Sequence, residues 1–155
     1  MNCLLIGGAP SVGKSQCIYR FTKHLISNGF IDITNSVPQV FKDFKAVLEG
    51  INKNGKQVRI IICTASDTVK HINNFKKYFD ENGTYDILIS SVRDDNFWPR
   101  KDFFRIMNIN EEGILEIPLA KITRRGSNFN TALKWYQNKI DQLVLHTLHN
   151  KPFDI

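Results

Sequence analysis

The stretch that most constrains this chain is Gly8-Ala9-Pro10-Ser11-Val12-Gly13-Lys14-Ser15, with Gly7 directly in front. Ahead of it, Cys3-Leu4-Leu5-Ile6 is a short apolar run of the kind that forms a buried parallel strand. Behind it, Cys17, Ile18, Phe21 and Leu25 recur at helical spacing. The pattern predicts a strand, a glycine-rich turn and a helix. Gly8 and Gly13 supply backbone conformations closed to residues with a Cβ and let the chain approach a ligand closely. Successive N–H groups of such a turn point inward at the positive end of the helix and form a nest for an anion. Lys14 adds a point charge, and the Ser15 hydroxyl is an oxygen ligand suited to Mg²⁺.

The string fits the pattern G-x-x-x-x-G-K-[ST]. With average residue usage, its fixed positions co-occur by chance in roughly one chain of this length in two hundred. On these residues the chain resembles the P-loop NTPase superfamily. The resemblance implies a nucleoside triphosphate, ATP or GTP, held by Gly8, Ala9, Pro10, Ser11, Val12, Gly13, Lys14, Ser15 and Gln16. It also implies that Lys14 reaches the β- and γ-phosphates while Ser15 ligates Mg²⁺.

A length of 155 residues suits one domain over 1–155, and 42% hydrophobic with 23% charged residues is a globular balance. No stretch approaches a membrane span, so no membrane partner is expected. Met1-Asn2-Cys3 opens without a basic leader, which makes the cytoplasm the expected compartment. Cys3, Cys17 and Cys63 are an odd set without metal-type spacing and read as small buried hydrophobes. The net charge of +6 suits anionic ligands, nucleic acid included, although no nucleic-acid-binding module signature accompanies it.

Periodicity predicts a helix over 14–28 and a short strand near 30–33. Ser36 is placed to cap a second helix, with Val40, Phe41, Phe44, Val47, Leu48 and Ile51 on one face and Asn54-Gly55 as its stop. Val58–Cys63 is the strongest strand signal, followed by a helix over 67–82 and a strand over 87–92. A basic segment at 93–107 reads as a short lid, partly helical after Pro99. A strand at 114–119 and a helix at 130–149 complete the chain. This alternation predicts a three-layer α/β/α P-loop fold with a mostly parallel sheet of about five strands. Ligands bind such sheets beyond the carboxyl ends of the strands, which gathers Gly8–Ser15, Thr64–Asp67, Arg93–Asp95 and the residues after Leu119.

P-loop enzymes need a carboxylate near Mg²⁺, and Asp67 is the best placed, unless it caps the next helix. Asp32, Asp43, Asp94 and Asp95 are substitutes, the first two also as a base near an acceptor hydroxyl. Arg93, Arg100 and Arg105 resemble lid arginines of nucleotide kinases, which close over the phosphates. Lys121–Ser127 reads as an exposed loop at the ligand edge. Asn138-Lys139-Ile140-Asp141 and Asp80-Glu81-Asn82-Gly83 spell guanine-nucleotide signatures, but within predicted helices, so a G-protein reading is rejected. His146 and His149 share a helix face without a third ligand, so no metal is assigned to them. The leading expectation is a small Mg²⁺-dependent phosphotransferase with Lys14, Asp67, Arg93, Arg100 and Arg105 as catalytic residues and Ser15 and Asp67 on the metal. Its acceptor is a small molecule or nucleotide. The rival is an ATPase or regulatory module acting with a protein or nucleic-acid partner.

Overall fold

The computed structural model describes residues 1–94, 97–109, 113–122 and 128–155. In chain order these form β1 (Asn2–Gly7), α1 (Lys14–Ser27), β2 (Ile31–Asp32), β3 (Lys45–Ile51) and β4 (Gln57–Cys63). There follow α2 (Val69–Glu81), β5 (Ile87–Val92), α3 (Trp98–Met107), β6 (Ile114–Pro118) and α4 (Phe129–Leu148). The strands make a six-stranded sheet in the order β2-β3-β4-β5-β1-β6. Four of them, β4, β5, β1 and β6, run parallel. β3 is antiparallel to β4, and β2 to β3.

The sheet is therefore mixed and six-stranded, which corrects the expectation of a mostly parallel sheet of about five strands. The cause is the segment that reads as a helix from Ser36 to Ile51. Its second half, Lys45–Ile51, forms strand β3 after an irregular stretch over 36–44, and Asn54-Gly55 belongs to the turn that folds β3 back onto β4. Asn52 organises that turn. Its side-chain oxygen accepts the N–H groups of Asn54 and Lys56, and Gly55 adopts a φ of 77° that favours glycine.

Side chains alternate along each strand, so the sheet has two apolar faces. Leu4 and Ile6 of β1, with Ile60 and Ile62 of β4, pack against Ile18, Phe21 and Leu25 of α1 and Val144 and Leu148 of α4. Cys3, Leu5 and Ile61 face Ile72 and Phe75 of α2 and Phe103 and Met107 of α3. Phe103 and Met107, one helical turn apart, dock α3 into this layer. All three cysteines are free and buried. Asp141 of the N-K-x-D string lies in α4 and pairs with Arg20 of α1. Asp95 and the residues from Thr123 to Ser127 lie outside the described residues.

Candidate functional site

The parallel strands end on one side of the sheet, and the glycine-rich loop sits there between β1 and α1. Gly8 has a φ of 137°, and a Cβ on it would lie 2.8 Å from the carbonyl oxygen of Leu119. No other residue type fits that approach. Ser11 holds a φ of 60°, a left-handed conformation that costs a residue with a side chain about 1 kcal/mol or more. Gly13 is the N-cap of α1 and has no side chain to satisfy the amides of the first turn, so these donors face the cleft without a side-chain cap.

That cleft encloses about 360 Å³. The loop with Lys14 and Ser15 forms one wall; Asp43, Thr64, Asp67, Ser91 and Arg93 form the other. A shared acceptor ties the two walls together. The Thr64 carbonyl oxygen accepts the hydroxyls of Ser15 and Ser91, each at 2.8 Å. Ser66 and Ser91 hydroxyls lie 3.0 Å apart beneath it. The Thr64 hydroxyl accepts the N–H of Phe44 at 2.8 Å and donates to Asp43 Oδ1 at 3.1 Å. Lys14 Nζ donates to the carbonyls of Gly8 and Ala9, both at 2.7 Å, which places its ammonium over the loop. Burial, then the nearby Arg93 charge, pulls the Lys14 pKa below the usual lysine value.

Asp67 lines the cleft, and Thr68, not Asp67, caps α2: the Thr68 hydroxyl accepts the His71 N–H at 3.2 Å. Asp67 Oδ1 instead lies 3.0 Å from His71 Nδ1, and Asp67 Oδ2 lies 3.5 Å from Arg93 Nη2. Partial burial pushes the Asp67 carboxyl up, but the His71 hydrogen bond and the Arg93 charge outweigh it and hold it below the ordinary value. The Arg93 side chain is only 12% exposed, and its Nε and Nη1 have no hydrogen-bond partner. Its guanidinium stacks 5.1 Å from the centre of the Phe97 ring. Buried donors without partners are costly, of order 1–3 kcal/mol each, and Arg93 presents two donors of the kind that an anion's oxygens satisfy.

Of the three arginines grouped from the sequence, Arg93 alone lines this cleft. Arg100 instead holds Glu116 of β6 through two bonds at 3.0 and 2.7 Å and donates to the Arg93 carbonyl at 3.2 Å. It is a positioning residue that fixes the backbone carrying Arg93. Glu116 crosses so close to β1 that a Cβ on Gly7 would collide with it, which explains the extra glycine before the motif. Arg105 is 71% exposed and pairs with Asp102 one turn back, away from the cleft. Asp32 is also elsewhere: its carboxylate accepts the N–H groups of Thr34, Ser36 and Val37 and braces the turn after β2. Pro10, Ser11, Gly13 and Gln16 also line the cleft. Thr64 belongs to the strand-end group gathered from the sequence, whereas Phe41 and Ser91 do not; Ser91 carries the signal of a strand's carboxyl end, and Phe41 carries none.

A second hollow of about 690 Å³ lies on the opposite side of the loop. Ser11, Gly13 and Gln16 line both cavities, and Val12, Lys121, Leu133, Tyr136 and Gln137 are among the other residues that line this one. The Tyr136 hydroxyl accepts the Ala120 N–H and fixes the strand-to-loop exit after β6. Among the described residues, no three His, Cys, Asp or Glu side chains converge as a metal cage. No helix among them is long and apolar enough to cross a membrane. Compared with protein-family models, with curated proteins and with solved structures, the chain matches none.

Proposed function

We propose that the chain is a nucleoside-triphosphate-binding P-loop protein of the three-layer α/β/α type, and a small phosphotransferase that moves a γ-phosphoryl group to a hydroxyl acceptor. The observation that carries the reading is the pairing across one cleft of Lys14 and Ser15 with Asp43, Asp67 and Arg93. The triphosphate lies along the loop amides, and the nucleoside extends into the hollow beside Tyr136. The donor set of a hydroxyl and carboxylates fits Mg²⁺, which keeps most of its water and takes only one or two protein oxygens. Ser15 with Asp67 would hold it, and when bound it draws charge off the phosphates. Lys14 leaves its carbonyl partners for the phosphate oxygens, a stronger charge-assisted contact. Arg93, already desolvated and oriented through Arg100 and Phe97, stabilises charge on the moving phosphoryl group. His71 keeps Asp67 ionised.

A second reading, an NTPase or regulatory module completed by a partner, is favoured by one observation: Arg100 and Arg105 do not reach the cleft, so Arg93 stands without them. Incubation with γ-labelled ATP and hydroxyl acceptors separates the two. Label on an acceptor supports the phosphotransferase. Free phosphate alone, rising on addition of a partner, supports the second reading and overturns the first.

A further inference from the structure

We propose that the acceptor sits in the side recess between the end of β4 and α2, and that it is a small aliphatic hydroxy acid rather than a nucleotide. The inference rests on the phosphotransferase reading above. The recess encloses about 160 Å³, with Asp43, Phe44, Lys45, Cys63, His71 and Asn74 in its walls. It meets the phosphate cleft at Asp43 and Ala65, which line both. His71 borders the recess while its partner Asp67 borders the cleft, so the Asp67–His71 pair stands between the chambers.

Size narrows the ligand first. Sites for drug-sized molecules begin near roughly 300 Å³. A nucleoside monophosphate exceeds the recess, whereas a short carbon chain fits. The wall chemistry narrows it further. Phe44 and Cys63 are buried and apolar. Burial pushes the Cys63 thiol up to about 12, so it is an apolar wall and not a nucleophile. Lys45 Nζ donates to the Asn74 carbonyl at 3.1 Å and lies 5.0 Å from the Tyr78 ring centre, which leaves further ammonium protons for a carboxylate. Asp43, at the mouth shared with the cleft, takes one donor from Thr64 and keeps acceptor capacity for a hydroxyl. A ligand with an anionic end on Lys45, a short apolar body against Phe44 and Cys63 and a hydroxyl at Asp43 matches these four walls.

The step balances. The acceptor hydroxyl oxygen bonds to the γ-phosphorus as the bond from that phosphorus to the β,γ-bridging oxygen breaks and nucleoside diphosphate leaves. The hydroxyl proton passes to the Asp43 carboxylate and from there to water.

The test supplies the full chain with γ-labelled ATP and Mg²⁺, with glycerate, 4-hydroxybutyrate and mevalonate as probes against AMP and UMP. Label is expected on at least one hydroxy acid and on neither nucleotide. Asp43→Asn is expected to lower that transfer by about a hundredfold or more. Asn74→Trp, which fills the recess from a residue that does not line the cleft, is expected to raise the acceptor KM about tenfold with ATP affinity unchanged. Transfer to AMP or UMP, or transfer insensitive to both substitutions, would overturn the recess assignment alone; no transfer to any acceptor by protein that retains ATP would overturn the phosphotransferase reading and the recess assignment with it. Loss of ATP retention itself would instead overturn the nucleotide reading, and the acceptor with it.

Discussion

The two ends of the sheet handle polar groups in opposite ways. At the end away from the glycine-rich loop, polar groups are closed off by near neighbours. Asp86 accepts the Arg59 N–H at 3.0 Å and Lys56 Nζ at 3.4 Å. Asn52 satisfies its own turn, and Asn2 Nδ2 donates to the Pro152 carbonyl at 2.9 Å. At the loop end the same chain leaves capacity unused: Arg93 Nε and Nη1 without partners, the start of α1 without a side-chain cap, and Ser11 in a strained conformation. Arg59 Nε at the far end also lacks a hydrogen bond, but it lies 3.2 Å from Glu49 Oε1, whereas the ion pair of Arg93 runs through Nη2 and leaves Nε and Nη1 open. Donors kept open and desolvated at the loop end cost stability, and binding an anion recovers it.

The sharpest break between the two ends comes from Lys14. Lys14→Ala is expected to lower phosphoryl transfer by about a hundredfold or more while the far-ultraviolet circular dichroism is unchanged, because Lys14 bonds only to its own loop. Arg93→Ala is expected to cost about a hundredfold in turnover and little in thermal stability, since the lost Asp67 and Phe97 contacts are offset by removing unpaired buried donors. A lower melting temperature in Arg93→Ala would mark a structural arginine instead.

The far end should respond in reverse. Asp86→Asn is expected to lose about 1 kcal/mol of stability at neutral pH and no activity. The hydrogen bond from the Arg59 amide, the largest influence, and Lys56 hold the Asp86 carboxyl below its ordinary value in the fold. A depressed carboxyl stabilises above its unfolded pKa and loses that contribution as pH falls through its folded pKa. Urea titrations should therefore show the gap between Asp86→Asn and the parent closing at acid pH, below the usual aspartate range. Smaller still is a chemical probe beside the loop. Burial, followed by the Asp141 charge, pushes the Cys17 thiol up to about 12, so iodoacetamide at neutral pH should leave Cys17 unlabelled in folded protein.

Much of the loop end was legible in the sequence because its signals are local. The apolar run of β1, the fixed glycines and the helical stripe of α1 each have one reading. The strand-end rule also gathered Thr64 to Asp67 and Arg93. The region from Ser36 to Ile51 reads as a helix because Val40, Phe41, Phe44, Val47, Leu48 and Ile51 fit a helical stripe. In the fold Val40 is 82% exposed, while Ala46, Val47 and Leu48 are consecutive and all buried, as on a strand covered on both faces. Asn54-Gly55 between that run and Val58–Cys63 was a hairpin signal read as a helix stop. Phe41 was lost with that helix. The partners of Arg100 and Arg105 were hidden for another reason: sequence order cannot say that Glu116 lies against one, or that Asp102 takes the other.

The central claim is that the loop from Gly8 to Ser15 binds the phosphate tail of a nucleoside triphosphate. Equilibrium dialysis of the full chain against ATP and GTP with Mg²⁺ tests it directly. The account predicts that at least one nucleotide is retained at micromolar concentrations and that Lys14→Ala weakens retention at least about tenfold. Folded protein that retained neither nucleotide at millimolar concentrations would contradict it.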